Sequence, residues 1–435
     1  MATTRLPHLG GLAAVGCLLL PTDSTERLEG DTLRILIAHN RYQLPGGEDV
    51  VVAQESAMLR SRGHEVDILE ANNDDIESGI SGIAAVRAAS RCIYSNDSAR
   101  TMLQRVRSFR PDLVHIHNFF PTLSPSIHYA VSSTGIPVVQ TLHNYRLLCP
   151  ASTLLRNGSP CDACVSSRIP WAAVQHKCYR GSRSASAAVA AMLAFHRHLG
   201  TWRRTVTRFI TLSDFARDKF AEGGIPREKI VVKPNFVDSD PGIGTGRGRY
   251  ALYVGRLAEE KGIHTLLQAW KLLPAGIRLR IVGDGPMRQD VEHAARSNPD
   301  IEWLPWQSRD EVYRLMADAA VLVVPSIWYE GFGLVVVEAY ATGLPVIASR
   351  IGVLTETVRD GVTGRLFQPG DARDLAKTVF EVLGSSAQLR DLRVHARCEY
   401  EARYTSERNY DALIHIYRET LSHACASSSD GAQPQ

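Results

Sequence analysis

Short runs dominated by apolar residues, many of them β-branched, recur along this chain, alternating with stretches whose apolar residues return at helical spacing. LRILIAH (33–39), HEVDIL (64–69), LVHIH (113–117) and PVVQTLH (137–143) occupy the first half; YALYVG (250–255), LRIVG (279–283), AVLVVP (320–325) and PVIAS (345–349) occupy the second. Strands that are apolar at successive positions are buried on both faces, as in a parallel sheet sandwiched by helices. Between the two sets lies DSDPGIGTGRGR (238–249), rich in Gly and without apolar period, which predicts a linker. At 435 residues the chain is longer than one hydrophobic core usually supports. The expectation is therefore α/β, with two doubly wound domains over 32–237 and 250–402, a closing helix over 403–424 and a frayed tail over 425–435.

Composition excludes several classes. Hydrophobic residues at 44% and charged residues at 22% fit an ordinary globular chain, and a net charge of +3 is too small to imply a nucleic-acid partner. No apolar run reaches the roughly 20 residues that cross a bilayer. Arg5 followed by Leu9 to Leu20 imitates an export signal, but the residues after Pro21 offer no small-x-small cleavage site. The reading is a disordered extension over 1–31, or a start codon placed too early, with an inert Cys17 and a cytoplasmic protein.

The segment PSIWYEGFGLVVVEAYATGLPVIAS (325–349) carries the most chemistry. A strand ends near Pro325, a loop holds Glu330, Gly331, Phe332 and Gly333, and a helix is predicted over 334–342, stopped by Gly343 and Pro345. Amide groups at a helix start, with glycines that let a ligand come close, suit an anionic or polyhydroxyl ligand. Glu330 precedes that helix and Glu338 lies one to two turns inside it, so both carboxylates can accept hydrogen bonds from hydroxyls of one ligand. In YVGRLAEEKGIHTLLQAW (253–270), Arg256 leaves a strand end and Lys261 follows in the turn, a pair of cations suited to a diphosphate.

Together these segments resemble the retaining glycosyltransferases of family four, whose hallmark is this E-x7-E pattern within EGFG…EA…G.PV. The resemblance covers about 33–420. It implies the GT-B architecture, two Rossmann-like domains across a cleft, and transfer of a hexose from a UDP- or GDP-sugar to a glycan or lipid-linked acceptor in cell-surface polysaccharide assembly. Retention of configuration is implied by the resemblance alone. By the same resemblance Glu330 contacts the transferred sugar, Glu338 holds the ribose, and Arg256 and Lys261 bind the donor diphosphate. The glycine turn of IVGDGPM (281–287), with Gly283 and Gly285, lies beside the nucleotide, and the base packs near Trp303 and Leu304, where this chain departs from its relatives by carrying Pro305.

On the first domain, Pro45, Gly46 and Gly47 precede a helix and match a GG.E loop of the relatives that faces the diphosphate. His117 and Asn118, then His143 and Asn144, follow strand ends, where open-sheet sites collect. The resemblance places His143 beside the transferred sugar; His117, Asn118 and Asn144 are read on the acceptor side, which the first domain must supply, while His115, inside its strand, reads as structural. No cofactor is expected for catalysis, since Asp238 and Asp240, the nearest approach to an Asp-x-Asp metal pair, lie in the linker.

Two further features stand apart. Cys149, Cys161, Cys164 and Cys178, spaced C-x11-C-x2-C-x13-C in an insertion over about 145–180, are compatible with a structural zinc or with reduced thiols. The stretch 183–208 mixes apolar spacing with Arg197, Trp202, Arg203, Arg204 and Arg208, compatible with a core helix or with peripheral contact at the cytoplasmic face of a membrane. Among other functions, a nicotinamide-dependent dehydrogenase is excluded because no GxGxxG follows the first strand, and no lysine motif for pyridoxal phosphate supports a phosphorylase. A non-catalytic sugar-nucleotide-binding protein of the same fold is the alternative.

Overall fold

The computed structural model of the protein describes residues 32–41, 46–72 and 83–429. The extension expected over 1–31, Cys17 and Pro45 lie outside the described residues, as do residues 430–435 of the expected tail. Eight strands come first: β1 (Arg34–Arg41), β2 (Glu65–Asn72), β3 (Leu113–Asn118), β4 (Val138–Leu142), β5 (Leu155–Arg156), β6 (Ser159–Pro160), β7 (Arg208–Thr211) and β8 (Ile230–Val232). β9 (Tyr250–Val254), β10 (Arg278–Val282), β11 (Ile301–Leu304), β12 (Val321–Val324), β13 (Val346–Ser349) and β14 (Gly364–Phe367) follow.

They form two six-stranded sheets, ordered β2-β1-β3-β4-β7-β8 and β11-β10-β9-β12-β13-β14, while β5 and β6 make a small antiparallel hairpin. Every pairing within the large sheets is parallel. Parallel neighbours need a crossover, and the intervening helical segments supply it, covering both faces of each sheet. Hence β3, β4, β12 and β13 are buried at every position, the physical reason their sequences lack alternation. The GT-B expectation of two Rossmann-like sheets is met.

The closing helix differs from expectation. It runs Ser406–Ser429, after a separate helix Ser386–Arg403, so residues 425–429 continue it instead of fraying. Its apolar residues Leu413, Ile414, Ile416 and Tyr417 pack with Ile35, Ile37, Val52 and Leu59 of the first lobe. The last segment of the chain thus completes the core of the first domain. The linker is held against the second lobe, where Gly244 and Gly246 donate to the carbonyls of Thr342 and Ala317 and Arg393 donates to the carbonyl of Gly244.

Candidate active site

In an open parallel sheet, the carboxyl ends of strands at a point where strand order reverses leave a crevice between diverging loops. The first sheet reverses between β1 and β3, and the second between β9 and β12. Both reversals face one cavity of about 550 Å³. The first lobe lines it with Gly46, Gly47 and Glu48 at the start of the helix Gly47–Ser61, and with His143 just after β4. From the second lobe come Arg256 and Lys261 after β9, and Ser326, Trp328, Glu330, Phe332 and Gly333 after β12.

Lys261 and Glu330 are directly paired: the Lys261 Nζ lies 2.8 Å from both carboxylate oxygens, and the Ser326 hydroxyl donates to Oε1 at 2.6 Å. Burial alone would raise the Glu330 pKa, but the ammonium and these hydrogen bonds hold it below the ordinary carboxylate range. Lys261 also sits 5.2 Å from the centre of the Trp328 ring. Arg256 is exposed at the mouth of the cavity. Its loop is shaped by the glycine turn after β10, because Gly283, at φ +139, has the Gly255 carbonyl 2.0 Å from where a Cβ would stand. Gly285 abuts the Leu257 carbonyl in the same manner. Gly283 and Gly285 therefore support the Arg256 loop from behind and do not line the cavity, and Leu304 lies a further strand away, its carbonyl accepting from the Gly283 amide at 3.1 Å. Trp303 ties to the same turn through Nε1 to the Gly283 carbonyl, 3.0 Å.

Gly331 is where the lobes touch, with the His143 carbonyl 2.4 Å from its missing Cβ. Alongside it, the Tyr145 hydroxyl reaches the Glu330 carbonyl at 3.4 Å. Glu338, on the helix Leu334–Ala341, is half-buried where Glu330 is buried, and it lies outside the cavity. Burial pushes its pKa up to about 7, partly offset by the Arg309 guanidinium. Arg309 donates to the Tyr313 hydroxyl, and with the Gln54 amide oxygen turned toward it, to Gln54 of the first lobe at 2.6 and 2.9 Å. Glu338 thus sits beneath an arginine that bridges the two lobes.

The first-lobe residues separate into those at the cavity and those behind it. Gly46 caps its helix, and its amide donates to the Asp49 carboxylate at 2.8 Å, so this N–H is not presented to a ligand; Gly47 is the next residue at the wall. His117 and Asn118, expected on the acceptor side, do not line the cavity. Asn118 is buried and pinned, donating to the Asn40 carbonyl and accepting from the Phe120 amide. His117 is buried behind His143, with Nδ1 2.9 Å from His143 Nε2. The physical reason is that β3 runs on to Asn118, so both residues are still within the sheet and covered by helices, whereas β4 ends at Leu142, one residue before His143. Asn144 donates to Glu48 at 3.4 Å and keeps its backbone turn by accepting from the Arg146 amide. His115 bonds Tyr417 and Thr141, each at 2.7 Å, in the structural role expected of it.

All four insertion cysteines are free thiols near enough to feel one another: burial and then Cys149, Cys178 and Cys161 push Cys164 up to about 11. A tetrahedral zinc with bonds near 2.3 Å needs its sulfurs under about 4 Å apart. Among the described residues the only set of three or more ligand atoms within 4.8 Å of each other is Glu55, His115 and His117. As placed here the cysteines do not fit zinc. In the basic stretch, Trp202 is buried and Arg197 is spent on the carbonyls of Cys164, Ser167, Leu147 and Leu148. The helix Arg183–Leu199 buries Val189, Met192 and Leu193 in the first-lobe core.

Sequence reasoning passed over Glu55, Lys233, Asn409 and Arg309. Glu55 had a visible signal, a carboxylate on the helix face shared by Val51, Val52, Met58 and Leu59. Lys233 and Asn409 had none, because 176 positions separate two residues that meet only in the fold.

Residues 45–241 match the family model Glycosyltransferase Family 4, and residues 243–403 match Glycosyl transferases group 1. A curated glycogen synthase of Mycobacterium tuberculosis is 29% identical over 398 residues, 82% of this chain and 87% of its own length. A D-inositol 3-phosphate glycosyltransferase of Mycolicibacterium smegmatis is 34% identical over 39% of this chain and 40% of its own. An uncharacterised glycosyltransferase of Methanocaldococcus jannaschii is 29% identical over 49% of this chain, and the chain spans 59% of its length. Among solved structures, sucrose-phosphate synthase from Thermosynechococcus elongatus superposes with a TM-score of 0.67 at 19% identity, covering 89% of this chain and 99% of that one. Anabaena HepE in complex with UDP and glucose gives 0.62 at 16% identity, covering 89% and 100%.

Proposed function

For a chain that carries a family 4 glycosyltransferase domain followed by a group 1 glycosyltransferase domain, we propose a retaining, metal-independent hexosyltransferase that moves a sugar from a UDP- or GDP-sugar to a glycan or lipid-linked acceptor in cell-surface polysaccharide assembly. The observation that carries this reading is the pairing of Lys261 with Glu330 inside a cavity walled by both lobes, with Arg256 at its mouth. A departing nucleoside diphosphate gains negative charge in the transition state, and preorganised cations there lower the barrier without reorganising. When the diphosphate is bound, Lys261 turns part of its charge toward it, freeing the Glu330 carboxylate to accept from hydroxyls of the sugar. Arg256 meets the outer phosphate, and the amides at the start of the helix Gly47–Ser61 face it from the opposite wall. Phe332 and Gly331 hold the ring close to Glu330. The nucleoside extends beyond this cavity over the second lobe, its ribose hydroxyls toward Glu338 and its base toward the Gly283–Gly285 turn and Leu304, and Asn144 stands toward the acceptor.

Metal independence is drawn from the resemblance, and it agrees with two acidic residues that are already engaged: Asp240 is bound by Arg397 in the linker, and Glu330 is paired with Lys261. No helix of the described residues is long and apolar enough to cross a membrane. Peripheral contact with a cytoplasmic membrane face fits the exposed Ile169, Trp171 and Phe195 beside Arg168, Arg203 and Arg204, and not Arg197 or Trp202. Zinc in the cysteine insertion forms no part of this reading.

The test is a panel of UDP- and GDP-hexoses assayed for binding and slow hydrolysis. One nucleotide sugar should bind and turn over, and Lys261→Ala or Arg256→Ala should lower turnover roughly 100- to 1,000-fold. Binding with no turnover in any acceptor extract would favour the non-catalytic alternative; unaltered transfer in both variants would remove the proposal.

A further inference from the structure

Behind His143 lies a buried polar chain that the diphosphate chemistry does not use. Lys233, 1% exposed, donates to Glu55 Oε1 at 2.6 Å and to Asn409 Oδ1 at 3.1 Å. The other oxygen of Glu55 has no hydrogen-bond partner, and neither does His117 Nε2; the two face one another at 3.6 Å, both wholly buried. On its far side His117 Nδ1 meets His143 Nε2 at 2.9 Å. His143 in turn lines the cavity, and its Nδ1 makes no hydrogen bond with any described residue. Glu55, His115 and His117 bring ligand atoms within 4.8 Å of one another, yet this is no metal site. Lys233 already supplies the positive charge at Glu55, and both nitrogens of His115 are engaged by Tyr417 and Thr141.

We propose that Glu55 is a positioning residue that fixes the tautomers of His117 and His143, so that His143 offers an unprotonated Nδ1 to the cleft as acceptor for a hydroxyl of the bound sugar. The inference rests on the glycosyltransferase reading for the identity of that ligand, but not for the tautomers.

The proton count follows from the end of the chain. A carboxylate anchored by Lys233 can only accept, so the proton facing it sits on His117 Nε2. Burial, together with the nearby His143, His39 and Lys233, keeps His117 neutral at ordinary pH, leaving Nδ1 as a lone pair. That lone pair requires a donor, so His143 carries its proton on Nε2. Burial holds the His143 pKa down at about 3, so it too is neutral and Nδ1 remains an acceptor. An acceptor at this place takes a sugar hydroxyl and repels a carboxylate, which makes the relay a determinant of specificity as well as of orientation.

Glu55→Gln reverses the chain without changing its shape. Lys233, which can only donate, must hold the amide oxygen, and this turns the amide NH₂ toward His117 Nε2. His117 then protonates at Nδ1, His143 accepts at Nε2, and Nδ1–H points into the cleft. The experiment is nitrogen-15 NMR of the histidine-labelled full chain, with the His143 resonances assigned by their loss in His143→Asn, alongside assays with UDP-glucose and GDP-mannose. Wild type should show His143 protonated at Nε2 and Glu55→Gln should show it protonated at Nδ1. Affinity for free UDP or GDP should stay within about twofold, since Arg256 and Lys261 are untouched, while transfer falls roughly 10- to 100-fold for one lost and one reversed hydrogen bond. Nδ1–H in the wild type overturns the proposal whether or not Glu55→Gln folds. An unchanged tautomer in Glu55→Gln, or a reversed one with unchanged transfer, overturns it equally. Should wild type show the expected tautomers yet neither bind nor turn over either nucleotide sugar, it is the functional reading that fails.

Discussion

At the scale of single residues, the two glutamates of the E-x7-E pattern occupy opposite electrostatic situations. Glu330 is ionised because Lys261 stands against it, whereas Glu338 is half-buried with only Arg309 to offset desolvation, which pushes its pKa up to about 7. A carboxyl whose folded pKa lies above its unfolded value of about 4.3 favours the folded state while protonated. That contribution is complete below the unfolded pKa and is lost as pH rises through about 7. Replacing Glu338 by Gln should therefore raise stability over wild type at pH 8 by about 1–3 kcal/mol, with the advantage disappearing near pH 4 to 5. Urea denaturation of both proteins at the two pH values checks this. An equal difference at both would mean that packing, and not ionisation, sets it.

Among the elements, the loop between β12 and the helix Leu334–Ala341 does more than carry a motif. Gly331 brings that loop against the carbonyl of His143, and Phe215 and Tyr329 pack at 4.7 Å close by. Glu356 of the second lobe accepts from the amides of Asp214 and Phe215 at the start of a first-lobe helix. A methyl group at Gly331 would stand 2.4 Å from a backbone oxygen that cannot swing aside. Gly331→Ala should consequently cost about 1–3 kcal/mol of stability as the lobes separate, and transfer should fall more steeply than affinity for free nucleotide. A denaturation midpoint together with the two assays would show it; wild-type behaviour in all three would mean that the lobes do not meet there in solution.

For the whole molecule, the consequential feature is that the chain returns to its beginning. The helix Ser406–Ser429 seals the first sheet with Leu413, Ile416 and Tyr417, and Asn409 from the same helix holds the Lys233 that anchors Glu55. First-lobe integrity and the polar chain behind His143 thus depend on the last segment of the sequence. Leu413→Ala, at a fully buried position, should lower global stability by about 2–5 kcal/mol. Proteolysis should then open the first lobe before the second, since only the first sheet loses its cover, and mass spectrometry of the early fragments would report this. Early cuts confined to residues 250–402 would show the helix to be dispensable.

The layered α/β plan was legible in the amino acids alone, because short, largely apolar runs without alternation, as in β3, β4, β12 and β13, recur between helical patterns and call for strands buried on both faces. The sequence also determined the cavity residues that lie in local motifs: Arg256, Lys261, Glu330 and Gly333 follow strand ends within a few positions, and strand ends are where such sheets open. Tertiary structure alone decided which residues stand at the wall and which stand behind it. His117 and His143 look alike in sequence, each a histidine at the end of an apolar strand, but His117 still lies inside β3, whereas His143 is one residue past the end of β4 and stands at the cleft. Glu55, Lys233 and Asn409 come from three distant segments, so no spacing rule could join them. A buried charge reveals its purpose only when its partner is seen, since the free energy of burying it depends wholly on what it meets there.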